Sequence, residues 1–236
     1  MLFTQVLRPG RLILVRHGQT HGNVEGRLDT ALPGADLTEL GRQQAVEVGQ
    51  ELAGLIGEVG PAAILTSEAL RAQHTGELIR EGLSQQGVDA PNIEIVPGIK
   101  EIAAGDLEGA TDRESMDHYI SVCFSWLEGR FDAQLPGGET YEGFVARWAP
   151  VFEELRAALS PDGAWAGRDV VLVSHGAAIR MIVAAMTVVD PLLMRQSLIR
   201  NCGYVVLHPP AEDGQLWFVS EWKRVTQIAG AGTAGG

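Results

Sequence analysis

Two short apolar runs in this chain end alike. Leu12-Ile13-Leu14-Val15 leads into Arg16-His17-Gly18, and Val170-Val171-Leu172-Val173 leads into Ser174-His175-Gly176. Continuous apolar runs of this length predict strands buried on both faces of a parallel sheet. A buried strand with a histidine at its carboxyl end, built twice, is unusual for packing alone. In open α/β sheets ligands bind outside the carboxyl ends of the strands. The two histidines can therefore meet in one pocket, although more than half of the chain separates them.

Strand and helix signals alternate through the rest. Thr38 is placed to cap a helix whose apolar face includes Val48, Leu52, Leu55 and Ile56. Ala62–Thr66 predicts the next strand, and Ser67 is expected to cap a helix with Leu70, Leu78 and Ile79 facing inward. Ile93–Val96 predicts a third, short strand. Met116, Tyr119, Ile120, Cys123, Phe124 and Leu127 then mark an amphipathic helix. Phe144, Val145, Trp148, Val151, Phe152 and Leu155 mark another, with Pro150 expected to kink it. The stretch from about Thr111 to Leu135 lies between two sheet-forming portions and is a candidate lid. A helix from about Ala177 follows, and Gly203–Leu207 and Leu216–Trp222 predict a closing hairpin. Such alternation predicts a layered α/β fold with a largely parallel sheet.

Composition narrows this picture. With 236 residues, 45% of them hydrophobic, the chain can bury one large core. We expect a single domain over 1–228 and a flexible tail of small residues over 229–236. A net charge of -12 argues against a nucleic-acid partner, yet a local basic pocket can still serve an anionic substrate. Cys123 and Cys202 belong to no CxxC or Cys/His cluster, so they read as core thiols and no metal site is expected. The first ten residues lack the pattern of a signal peptide, and no apolar stretch is long enough for a bilayer. These features predict a cytoplasmic protein without a membrane partner.

Four segments look built to converge: Arg16-His17-Gly18, Ser67–Ala72 with Arg71, the glycine-punctuated Glu101–Gly109, and Ser174-His175-Gly176. Two guanidiniums and two imidazoles in one pocket repel when all are charged, by about 4 kcal/mol per pair at 4 Å and an effective dielectric of 20. A dianion relieves that repulsion. Arginine forks match phosphate oxygens, and helix N-termini after Gly18 and Gly176 would add backbone N–H donors.

These stretches, with Leu14–Asn23, Thr66–Thr75, Gly137-Gly138-Glu139-Thr140 and Val173–Gly176 in this order, resemble the histidine phosphatase superfamily, also called the phosphoglycerate mutase-like family. The resemblance implies a three-layer α/β/α sandwich and a metal-free, cofactor-free reaction through phosphohistidine. It implies that His17 is the nucleophile, needing a neutral ring held at its other nitrogen. Arg16, Asn23, Arg71 and His175 would bind phosphate, with His175 also serving catalysis. Glu101 would protonate the leaving alkoxide and then activate water. The Gly137–Thr140 stretch is expected to close a turn and cap the next helix.

There are departures. Gly22 replaces a common aromatic residue, which would widen the pocket mouth. Leu107 replaces a common tryptophan, a packing change. His74 replaces a usual glutamine and reads as a packing residue. His21 reads as solvent-exposed, and His118 and His208 carry no motif.

Three functions compete. A phosphomonoesterase acting on a small phosphorylated metabolite comes first. A cofactor-dependent phosphoglycerate mutase is disfavoured, because mutases of this family carry Glu-Arg-His-Tyr-Gly where this chain reads Glu101-Ile102-Ala103-Ala104-Gly105. A non-hydrolytic phospho-ligand binder would keep the pocket without turnover. Specificity would be chosen by Gly22–Asp36 and by Tyr119, Phe124, Trp126 and Arg113 of the insertion, whose apolar residues could equally form the face of a homodimer.

Overall fold

A computed structural model describes residues 8–212 and 214–227 of the chain. The expected 229–236 tail lies outside the described residues. The elements run in order: β1 (Leu12–Arg16), α1 (His21–Glu25), α2 (Glu39–Ile56), β2 (Ala63–Thr66), α3 (Leu70–Gln85), β3 (Ile93–Ile95), a 3-10 turn (Gly105–Leu107), α4 (Arg113–Leu127), α5 (Tyr141–Leu159), β4 (Val170–Ser174), α6 (Gly176–Met186), α7 (Pro191–Arg195), β5 (Ser197–His208) and β6 (Phe218–Gln227). The six strands form one sheet in the order β3-β2-β4-β1-β5-β6. The first four are mutually parallel, and β5 is antiparallel to both β1 and β6.

Alternation along the strands explains the layers. Side chains one residue apart point to opposite faces. Ile13, Val15, Ile64, Val171 and Val173 pack with Val48, Leu52, Ile79 and Leu83 of α2 and α3. Leu12, Leu14, Leu65, Val170 and Leu172 pack on the other face with residues of α4, α5 and α6. Both faces are apolar, which is why the strands read as unbroken runs. This is the expected α/β fold with helices on both sides of a mostly parallel sheet.

At the amino end of β4, Asp169 closes the sheet. Its buried carboxylate accepts from the Arg11 backbone N–H (3.2 Å), Nε (3.0 Å) and Nη2 (2.7 Å). Thr38 caps α2 as expected, accepting from Gly41 N–H at 3.0 Å. Thr140 caps α5 through Gly143 N–H at 3.0 Å, and Pro150 lies inside α5 without ending it. The Thr111–Leu135 stretch carries α4, whose Tyr119, Val122, Cys123, Trp126 and Leu127 belong to the larger core. Burial pushes both the Cys123 and Cys202 thiols up to about 12.

Two local expectations fail around α3. Ser67 does not cap this helix; Ala69 stands at the cap with no side-chain bond, because Ser67 is turned towards His175. Leu70 faces solvent rather than the core. The closing hairpin is longer than expected at both strands.

Candidate active site

The carboxyl ends of β1, β2 and β4 build the site. Arg16 pairs in register with Ser174, so His17 and His175 leave their strands side by side. The His17 N–H donates to Ser174 O at 3.0 Å, and Ser67 N–H donates to Val173 O at 3.0 Å. Both rings are buried, with centroids 5.2 Å apart at 60°.

Hydrogen bonding fixes the tautomer of each ring. His17 Nδ1 lies 2.7 Å from Gly18 O. A carbonyl only accepts, so Nδ1 carries the proton and Nε2 keeps its lone pair. Burial, then Arg71 and Arg16, hold the His17 pKa well below the usual histidine range. At His175 the direction reverses. Arg71 Nε donates to Nδ1 at 3.2 Å, so Nε2 carries the proton and donates to Ser67 Oγ at 2.7 Å. Burial, then Arg71, lowers this imidazole well below the usual range too. The expected four-cation repulsion therefore reduces to the guanidiniums, because both imidazoles are neutral.

The arginines supply unused donors. Arg16 Nη1 donates to Ile199 O at 2.8 Å, but its buried Nε has no hydrogen-bond partner. Arg71 Nη1 and Arg27 Nε are likewise buried and unpartnered. Buried donors without partners are rare, and the three arginines that carry these all line one cleft. That cleft, about 90 Å³ in volume, is lined by Arg16, His17, Asn23, Asp29, Arg71 and Glu101 among others. Gly34, at φ +75°, lets its loop close over Arg71; a Cβ there would stand 2.0 Å from Nη1.

Asn23 sits at the mouth. Its Oδ1 accepts from Thr20 N–H (3.2 Å) and Asn201 Nδ2 (3.0 Å), leaving the amide nitrogen to meet a ligand. The Glu101 carboxylate accepts backbone N–H bonds from Ile102 (3.0 Å), Ala177 (3.2 Å) and Ala178 (2.8 Å). The N-terminus of α6 thus already holds a carboxyl group of the protein, and is not the free phosphate cradle the sequence suggested. Arg147 steadies this loop: it pairs with Glu139 and donates to Glu101 O at 3.2 Å.

Of the six sequence-predicted residues, Arg16, His17, Asn23, Arg71 and Glu101 line this cleft, while His175 is buried behind it against His17 and Arg71. Other parts of the expected rim do not. Gly22 does not widen the mouth; it is buried, and a Cβ there would press on Asp29 at 3.1 Å. Trp126 is core, Arg113 is an exposed partner of Asp117, and Phe124 lies under Arg180 and Arg195; of that set only Tyr119 lines the cleft. His74 is no packing residue but pairs with Asp36 at 2.6 Å. His21 is exposed.

Sequence reasoning named the Gly22–Asp36 and Glu101–Gly109 segments without singling out Asp29, Gly34 or Glu108 within them, and missed Asn201. Glu108 accepts from Thr30 N–H (2.9 Å), Thr30 Oγ1 and Ala31 N–H (3.1 Å), while Thr30 Oγ1 accepts from Ala104 N–H at 2.9 Å. This clamp joins the two loops that flank the cleft. Its only signal was a carboxylate inside a glycine-punctuated loop. Asn201 also donates to His17 O at 3.1 Å from an irregular part of the β5–β6 pairing, which no local pattern announces.

A family model for the histidine phosphatase superfamily, branch 1, matches residues 12–222. The chain belongs to this superfamily. Within it, a metal-independent phosphoserine phosphatase of Arabidopsis thaliana is 26% identical over 94% of this chain and 84% of its own length. A 2,3-bisphosphoglycerate-dependent phosphoglycerate mutase of Nitrobacter winogradskyi is 30% identical over 76% of this chain and 82% of its own. Among solved structures, a mycobacterial glucosyl-3-phosphoglycerate phosphatase superposes with a TM-score of 0.69 at 28% identity, covering 92% of this chain and 99% of that one. Membership in the histidine phosphatases supports phosphatase activity, while these relatives differ in their named substrates.

Proposed function

We propose that this protein is a metal-independent phosphomonoesterase that hydrolyses a small phosphorylated metabolite through a phosphohistidine on His17. The observation that carries this reading is the His17 ring: neutral, pinned at Nδ1 by Gly18 O, with its Nε2 lone pair free beside the unpartnered donors of Arg16 and Arg71. In the first step Nε2 attacks phosphorus, the P–O bond to the leaving group breaks, and Glu101 gives its proton to the departing alkoxide. In the second, Glu101 takes a proton from water, whose oxygen attacks phosphorus. The P–N bond then breaks, returning neutral His17 and inorganic phosphate. Arg16, Arg71 and Asn23 hold the transferring group, His175 positions Arg71 from behind because both its ring nitrogens are taken by Arg71 and Ser67, and the two guanidiniums supply the charge stabilisation for which a metal is otherwise used.

The proposal places the protein in the cytoplasm, acting on a free small molecule without nucleic acid, membrane or bound cofactor. No described helix is long and apolar enough to cross a membrane. The test is phosphate release from a panel of phosphorylated metabolites in the presence of a chelator, beside His17→Ala. Release lost in the variant is expected; release unchanged in the variant, or none from any ester, sinks the proposal.

The mutase relatives give a second reading some weight. It is opposed by Ile102-Ala103-Ala104 beside Glu101, which supplies none of the polar side chains of the mutase stretch. Interconversion of phosphoglycerates stimulated by the bisphosphate would reverse the ranking.

A further inference from the structure

We propose that Asp29 is a specificity-determining residue of the cleft: a built-in anion that shares Arg71 with the ligand and favours a phosphate carrying one proton over a fully ionised one. This rests on reading the cleft as a phosphate site.

The geometry is unusual for an arginine–carboxylate pair. Asp29 Oδ2 lies 3.6 Å from Arg71 Nη1, too far for a hydrogen bond, and Nη1 is left buried without a partner. The pair does not simply close. Asp29 Oδ2 already accepts from Ala35 N–H at 2.8 Å, and its side chain packs against buried Gly22. Gly34 leaves Nη1 its place, since a Cβ there would stand 2.0 Å from it. The carboxylate is therefore held near Arg71 but short of it.

The other acids near the cleft are occupied. Glu101 takes three backbone N–H groups, and Glu108 takes those of Thr30 and Ala31. Among the described residues, Asp29 Oδ1 accepts no hydrogen bond. The remaining neighbours are the cations Arg16, Arg27 and Arg71, the neutral rings of His17 and His175, and Tyr119, whose hydroxyl donates to Ile102 O.

A phosphate oxygen that reaches Arg71 Nη1 must approach this carboxylate. Two unprotonated oxygens at such range repel, whereas a P–OH donates to the carboxylate and is welcomed. Bound inorganic phosphate, once ionised, is pushed out, so Asp29 speeds product release at the expense of ground-state affinity.

The experiment is calorimetric binding of inorganic phosphate to the full chain at about pH 5.5 and about pH 8, which bracket the second ionisation of a phosphoryl group. Asp29→Asn keeps an acceptor for Ala35 N–H, and Asp29→Ser removes the charge through a smaller side chain. Wild-type binding is expected to weaken as pH rises. Both variants should bind about tenfold tighter at the higher pH, the effect of roughly one pKa unit of interaction, and lose the wild-type pH dependence. Equal affinities and equal pH profiles in all three proteins overturn the proposal. Absence of phosphate binding in all three overturns it together with the phosphate reading of the cleft. Binding with the expected profile but no turnover of any ester removes the hydrolase and leaves Asp29's role standing.

Discussion

Arg71 holds His175 rather than repelling it: its Nε donates to Nδ1 of the imidazole at 3.2 Å, while the residue lines the cleft and its buried Nη1 has no hydrogen-bond partner. One planar fork thus fixes a tautomer on one side and offers a donor to an anion on the other. A lysine ammonium carries comparable charge without that fork. Arg71→Lys should lower kcat/KM on phosphomonoesters by about 10²–10³, the range seen when one preorganised donor is lost, with little change in thermal midpoint. Ring-nitrogen NMR should show His175 losing its Nε2–H preference. Activity within about threefold of wild type, a change of about 0.65 kcal/mol, would show that charge alone suffices.

The two buried imidazoles set an acid limit on stability. Burial and the arginines hold both below the unfolded value of about 6.5. Below that value the unfolded chain binds protons that the native chain refuses, so unfolding gains with falling pH. The contribution is complete above about pH 6.5, and is lost progressively as pH falls towards the depressed folded values. Urea midpoints measured through this window should decline for the wild type. They should decline less steeply for His175→Gln, which has one fewer buried imidazole. Parallel declines would place the acid sensitivity elsewhere.

The Glu108 clamp predicts a variant that affects the site without touching it. Glu108→Ala leaves the Thr30 and Ala31 N–H groups without their acceptor and loosens the Leu28–Ala31 segment, which then keeps only the Ala104 N–H bond to Thr30 Oγ1 and the Leu28 backbone bonds to Gly109 and Ala110. A stability loss of about 1–3 kcal/mol is expected for groups so stranded. KM should rise, because the same segment carries Asp29 and supports Arg71. Unaltered urea unfolding would mean that the clamp is replaced by water at no cost.

Most of the sheet and all of the residues at its carboxyl edge were legible in the sequence because both signals are local. A strand buried on two faces must be apolar throughout, and Arg16, His17, Ser174 and His175 follow directly from such strands. What was illegible depends on loops meeting across the fold. Ser67 looks like a helix cap by type and position, and nothing nearby shows that His175, more than a hundred residues on, claims its hydroxyl. Gly22 looks like an opening, yet Asp29 fills the space against it. Trp126 looks like a rim residue because amphipathic spacing does not say which of two apolar surroundings, core or cleft, a helix face meets. The N-terminus of α6 looks like a phosphate cradle until Glu101 is found upon it.

That last contact shapes the clearest test of the reaction. In the free protein the Glu101 carboxylate rests on Ala177 and Ala178 N–H groups, beside the cleft and facing the same space as His17. As a general acid it matters in proportion to how poorly the leaving group carries negative charge. Glu101→Gln keeps the size and an acceptor oxygen but cannot deliver a proton to an alkoxide. Its first-step rate on an alkyl phosphate should fall by about 10²–10⁴, the usual contribution of a positioned acid, while formation of phosphohistidine from an activated aryl phosphate should be nearly unchanged. Hydrolysis of the phosphoenzyme should slow for both substrates, because water still needs a base, so phosphohistidine should accumulate and be trapped by acid quench. An equal loss of phosphorylation rate on the aryl and alkyl esters would remove Glu101 from proton transfer. It would leave the residue the role that its hydrogen bonds already display, tying its loop to the start of α6.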